Sequence, residues 1–175
     1  MEPGLLEVFQ EQLLLQCEYT MYAAADMNAA IDRQDVKRAF YAIQCLLTAA
    51  ANASKALWGI KDTPPEQRKP LRDSIGVDDS SPLKSVRMRN HYEHFDEKIE
   101  AWWTTSRTRS RIDRNIMPRT ALGGRLDDGD MFRNYDPITK ELWFWTERFN
   151  VQDLVDEVQR LIPKLEAELA KVRGQ

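Results

Sequence analysis

Cysteine and histidine are scarce in this chain, two of each among 175 residues. Cys17 and Cys45 lie among apolar neighbours in stretches of helical periodicity. They read as reduced core residues, which excludes a disulfide scaffold. Long apolar runs are missing too. The longest uncharged one, residues 39–54, contains Gln44, Thr48 and Asn52 and falls short of the ~20 residues a membrane span needs. The start, MEPGLLEVFQEQ, is acidic and lacks the basic region of a signal peptide. The expected setting is therefore the cytoplasm. A formal charge of -3 argues against a wholesale basic nucleic-acid binder, although local charge is very uneven. The length suits one domain, burying roughly two thirds of its unfolded surface.

What is abundant is helical periodicity. Leu6, Phe9, Leu13, Cys17, Thr20, Ala24, Met27 and Ile31 recur at steps of three and four after Pro3, which predicts one long amphipathic helix. Asp32 and Asp35 resemble a capping box for a second helix with the stripe Val36, Phe40, Ile43, Leu47, Ala50 and Leu57. Tyr41, Cys45, Leu46 and Ala49 make that helix apolar nearly all round, the pattern of a central element. The short connection between the two requires an antiparallel hairpin.

Residues 59–81 carry three prolines and read as a loop with one helical turn near 66–73. Ser81 and Pro82 then look like the N-cap and first turn of a third helix reaching about Thr104. Its buried stripe is expected to be Met88, Tyr92, Phe95, Ile99 and Trp102. Two short strands, 131–135 and 141–146, are expected around a turn at Asp136 and Pro137. Asn150 caps a last helix carrying Leu154, Val158, Leu161, Leu165, Leu169 and Val172, with a kink expected at Pro163. The predicted fold is all-α: an antiparallel bundle of four main helices with a short β-hairpin excursion before the last helix. It forms a single domain, 1–175, whose Arg-rich loop and hairpin occupy 105–148.

Both histidines fall in RMRNHYEHFDEKIE. With 100° per residue and Met88 at zero, Asn90 falls at about 200° and His94 at about 240°, away from the stripe, while Arg89 and His91 flank it on opposite sides. One reading is a solvated charged face. Another is a metal held by His91 and His94 with Glu93 or Glu97, but such bundle sites point inward and draw on several helices. No cofactor or metal is expected.

An Arg followed by a polar residue, with a His after four intervening residues, late in an all-α bundle, resembles the signature of the HEPN domain superfamily, in which four to six residues separate the Arg from the His. Arg89, Asn90 and His94 match it. Arg87 also fits the spacing, with six residues between, but apolar Met88 follows it, so Arg89 is the better match. The resemblance covers 1–104 and 150–172 loosely. It departs from the subtype with a tyrosine two residues after the His, a position held here by Asp96. It implies a metal-independent endoribonuclease acting as a homodimer, the toxin of a bacterial toxin–antitoxin or defence system, with RNA as substrate and a neutralising protein such as a nucleotidyltransferase as partner. It equally allows a non-catalytic dimerisation module that binds a nucleotide or a protein.

Arg89 and His94 are separated by about 7.5 Å of rise and about 140° of rotation on one helix, so two such helices around a two-fold axis suit one phosphate better. His94 would exchange protons with the 2′-hydroxyl or the leaving oxygen, Arg89 would hold the phosphate, and Asn90 would orient the imidazole or bond the phosphate. The product would be a 2′,3′-cyclic phosphate. Residues 104–125 add six arginines against one aspartate, just after Trp102 and Trp103. Arg107, Arg109, Arg111 and Arg114, with Arg87, are candidate RNA contacts, and Arg119 and Arg125 complete the cluster. The alternative is a solvated loop whose arginines pair with Asp78, Asp79, Asp127, Asp128 and Asp130, or a surface that docks a protein.

Overall fold

The computed structural model describes residues 1–122 and 127–174. Among them are six α-helices and one four-stranded sheet. This corrects the expected all-α bundle of four helices with a hairpin: the excursion is a mixed sheet, and the third helix is two helices. No helix among the described residues is long and apolar enough to cross a membrane. The chain divides into two compact units, residues 1–25, 45–86 and 153–175 in one, and 26–44 and 87–152 in the other.

The first unit holds most of α1 (Pro3–Asp32), the second half of α2 (Val36–Trp58), α3 (Lys69–Ile75) and most of α6 (Val151–Arg173). Leu13, Cys17, Leu46, Leu57, Leu71, Ile75, Leu161 and Leu165 form its core. Apolar stripes at three and four residue spacing bring these side chains to one face of each helix. Side-chain bonds fix the packing: Gln10 Nε2 donates to Ser74 Oγ at 3.1 Å, and Lys164 Nζ to the carbonyl of Ile75 at 3.0 Å. Gly76 ends α3 with φ 63, the left-handed turn that glycine enters without Cβ strain, while Val77 N bonds back to Arg72 O. The expected helical turn at 66–73 is α3 and the 3-10 turn Pro65–Gln67 before it. Cys17 and Cys45 are free thiols, and burial pushes the Cys17 thiol up to about 12, with Glu157 and Glu18 adding to the rise.

The second unit contains the α1–α2 corner, α4 (Arg87–Glu93), α5 (Phe95–Thr105) and the sheet. At the corner Asp35 is the cap, its Oδ1 accepting from Arg38 N at 2.9 Å, whereas Asp32 still belongs to α1. The strands β1 (Asn115–Ile116), β2 (Arg133–Asp136), β3 (Glu141–Phe144) and β4 (Glu147–Asn150) lie in that order, β1 parallel to β2 and the rest antiparallel. Consecutive buried residues on β2 and β3 mean that both faces of the sheet are covered. Asp136 closes the β2–β3 turn, its Oδ1 accepting from Ile138 N and Thr139 N. Trp145 makes the two-residue β3–β4 turn with φ 58. Asn150 Oδ1 accepts from Gln152 N at 2.8 Å, the expected cap of α6.

Candidate active site

The expected continuous helix from Ser81 to Thr104 is interrupted twice. Pro82–Lys84 is a 3-10 turn, and His94, with φ -97 and ψ 39, stands between α4 and α5. No glycine or proline causes the second break. Its cause is the sheet beneath: Tyr92 of α4 packs against Phe144 at 5.5 Å, while Trp102 of α5 packs edge-on against Phe132 at 5.7 Å. Phe132 and Phe144 are themselves 5.9 Å apart. Breaking the helix lets each half seat its own aromatic, and it turns Phe95, expected in the buried stripe, out to solvent.

The break also decides where the candidate residues stand. His94 N still donates to Asn90 O at 2.9 Å, so Asn90 and His94 share the last turn of α4. The His94 side chain is 58% exposed, with Nδ1 3.6 Å from Glu97 Oε1. Arg89 is only 22% exposed: one amino group donates to Asn90 Oδ1 at 3.1 Å and the other pairs with Glu93 Oε1 at 2.6 Å. Its Nε is buried without a partner. Arg89, Asn90 and Glu93 thus form one polar cluster, and His94 projects from its C-terminal edge.

A second group, unexpected from the sequence, gathers around Glu147 on β4. Arg87 pairs with its carboxylate, and His91 Nε2 lies 3.9 Å from it, too far for a hydrogen bond. The His91 ring, 18% exposed, stacks on Phe144 at 5.6 Å with planes 10° apart. Burial, together with Lys98 and Arg87, lowers its pKa against the opposing pull of Glu147. Arg87 and His91 are four residues apart and share a face of α4, which their spacing could have revealed. Their carboxylate partner comes from another element, and no local signal points to it. Burial pushes the Tyr92 hydroxyl up, and that hydroxyl has no hydrogen-bond partner.

The Arg-rich segment is more ordered than a solvated loop. Ile112 bridges Met131, and β1 runs beside β2. Asp113 takes a two-pronged bond from Arg133, Nε to Oδ1 at 2.8 Å and Nη2 to Oδ2 at 2.5 Å. Buried Asp130 accepts from Trp102 Nε1, Ser106 Oγ and Thr108 Oγ1. Arg107, Arg109, Arg111 and Arg114 are exposed. Arg109 lies over the Trp103 ring at 4.3 Å, Arg111 6.0 Å from the Phe132 ring, and Arg114 3.6 Å from Asp113. Arg119 lies 5.8 Å from the Trp143 ring.

Of the carboxylates expected to neutralise this segment, Asp78 binds Ser80, Asp79 binds Trp58 and Lys84, and Asp127 binds Gly129 N, while Asp130 accepts from Ser106 and Thr108 within the segment. Arg125 and the side chain of Asp128 lie outside the described residues. Among the described residues no group of three or more His, Cys, Asp or Glu side chains is placed to hold a metal ion. His91 and His94 face different partners, Glu147 and Glu97. This chain matches no protein-family model, no curated protein and no solved structure with which it was compared.

Proposed function

We propose that this protein is a cytoplasmic, metal-independent endoribonuclease of the HEPN type, a homodimer with a composite site of Arg89, Asn90 and His94. The observation that carries the reading is the exposed His94 imidazole at the α4–α5 break, one turn beyond Asn90, to which the Arg89 guanidinium is already bonded. In the proposed reaction His94 takes the proton of an RNA 2′-hydroxyl as the O2′–P bond forms. The P–O5′ bond breaks, and O5′ receives a proton from the second copy's His94, leaving a 2′,3′-cyclic phosphate and a 5′-hydroxyl. Arg89 balances the charge that grows on the phosphoryl oxygens. Because Glu93 holds Arg89 in the free protein, RNA must draw the guanidinium away from that carboxylate. The reading extends to the toxin of a toxin–antitoxin or defence system, neutralised by a partner such as a nucleotidyltransferase.

The same ion pair favours a second reading. A guanidinium already occupied by Glu93 suits a non-catalytic dimerisation module that binds a nucleotide or a protein. Incubating the purified protein with RNA in chelator separates the two. Cyclic-phosphate ends that disappear in both His94→Ala and Arg89→Ala support the nuclease. Cleavage surviving both substitutions refutes it, and a dimer without cleavage favours the module.

A further inference from the structure

We propose that Trp103 and the arginines that follow it form a binding platform for single-stranded RNA. The inference deepens the nuclease reading by naming the form of its substrate, and it rests on that reading only for the choice of RNA over DNA. Trp103 lies in the last turn of α5 with 53% of its surface exposed, a large share for the largest side chain. Trp102 supports it edge-on at 5.9 Å, and Arg109 caps it at 4.3 Å.

The support beneath this pair is built rather than incidental. Asp130, itself buried, collects hydrogen bonds from Trp102, Ser106 and Thr108, which fixes the backbone just after α5. Ser106 Oγ then accepts from Arg109 N at 2.8 Å, and Thr108 Oγ1 from Ser110 N at 3.2 Å. Within this frame Arg109 takes φ 52, a left-handed conformation disfavoured for a residue with a Cβ. A strained non-glycine residue is worth asking about, and here it accompanies a guanidinium laid over an exposed indole.

Charge selects the occupant. Arg107, Arg109, Arg111 and Arg114 are all exposed. Of the nearby carboxylates, Asp113 is bonded by Arg133 and also lies 3.6 Å from Arg114, and Asp130 accepts from three donors. The segment is therefore positive in a protein of net charge -3. An exposed indole offers stacking to an unpaired base, and flanking arginines offer phosphate contacts. A duplex hides its base faces inside the stack, so it engages only the arginines.

The test uses the full chain and a fluorescent 2′-O-methyl RNA strand of about 12 nucleotides, which lacks the attacking 2′-hydroxyl and so separates binding from cleavage. Trp103→Ala is expected to weaken binding about tenfold or more, the scale of one lost base stack, and Trp103→Phe to restore most of it. Arg109→Ala should weaken it several-fold, and it serves as the second probe where Trp103→Ala does not fold. The proposal is overturned if folded Trp103→Ala and Arg109→Ala bind as tightly as the parent, or if the duplex binds as well as the single strand. It is overturned equally if polyglutamate competes as well as unlabelled strand, which marks a dock for an acidic protein. Trp103-dependent binding without cleavage of unmodified RNA keeps this inference and removes the nuclease. Cleavage without Trp103-dependent binding does the reverse.

Discussion

Asp130 accepts a hydrogen bond from the indole nitrogen of Trp102 at 3.0 Å, and this contact ties the last turn of α5 to the chain just before β2. Ser106 and Thr108 donate to the same carboxylate and, with Trp102, hold its pKa below the ordinary range against the effect of burial. Asp130→Ala leaves the buried Trp102 N–H without an acceptor and should cost about 2 kcal/mol, a fall of roughly 5 °C in Tm. A carboxylate with a lowered folded pKa contributes stability above its unfolded pKa and loses it as pH falls through the folded value. The Tm gap between parent and variant should therefore be widest near neutral pH and close in acid. An unchanged gap removes Asp130 from the role.

Asp113 and Arg133 join β2 to the segment before β1 through two parallel bonds, with Arg133 N adding a third at 3.3 Å. Burial alone would raise the Asp113 carboxyl, but the hydrogen bonds and charge of Arg133 outweigh it and hold the pKa down. Removing one partner strands the other, so Asp113→Ala should cost about 3 kcal/mol. The double change Asp113→Leu with Arg133→Met should recover much of that loss, since two apolar side chains strand no charge. Urea titrations of the three proteins measure the difference. A double variant no more stable than Asp113→Ala contradicts the argument.

The long helices were legible because apolar residues at three and four residue spacing state a buried face directly, as Leu161, Leu165 and Leu169 do on α6. The break at His94 was not, because no residue there disfavours a helix and the cause lies in Phe132 and Phe144, far along the chain. The β3–β4 turn was hidden in the same way: Trp145 takes the positive φ where Asn or Gly would have signalled a hairpin. β1 is two residues long and exists through pairing with β2, which no local pattern encodes. In the candidate site the Arg89–Glu93 pair follows from four-residue spacing on one helix face. Glu147 beside His91 is a tertiary fact.

α6 runs as one helix from Val151 to Arg173 with Pro163 inside it, exposed to solvent. Proline lacks the N–H that would bond to the carbonyl four residues earlier, and its ring crowds that turn. An exposed interior proline stabilises nothing by packing, so Pro163→Ala should raise stability by about 1–3 kcal/mol. Thermal unfolding monitored at 222 nm measures it. A lower Tm for the variant would mean that the helix bends there to meet its neighbours.

His91 links α4 to the sheet and carries a signature in pH. Burial first, then Lys98 and Arg87, lower its pKa, and Glu147 only partly opposes them. An unfolded imidazole titrates near 6.5, so the folded state disfavours a proton that the unfolded chain accepts. Stability is then highest above that value and declines as pH falls through the lowered one, because folding must exclude the proton or bury it. His91→Phe keeps a ring able to stack on Phe144, at 5.6 Å in the parent, and has nothing to protonate. The variant should hold its stability as pH falls below about 6.5, where the parent begins to lose it. Parallel decline of both proteins through that window would assign the titration to another group.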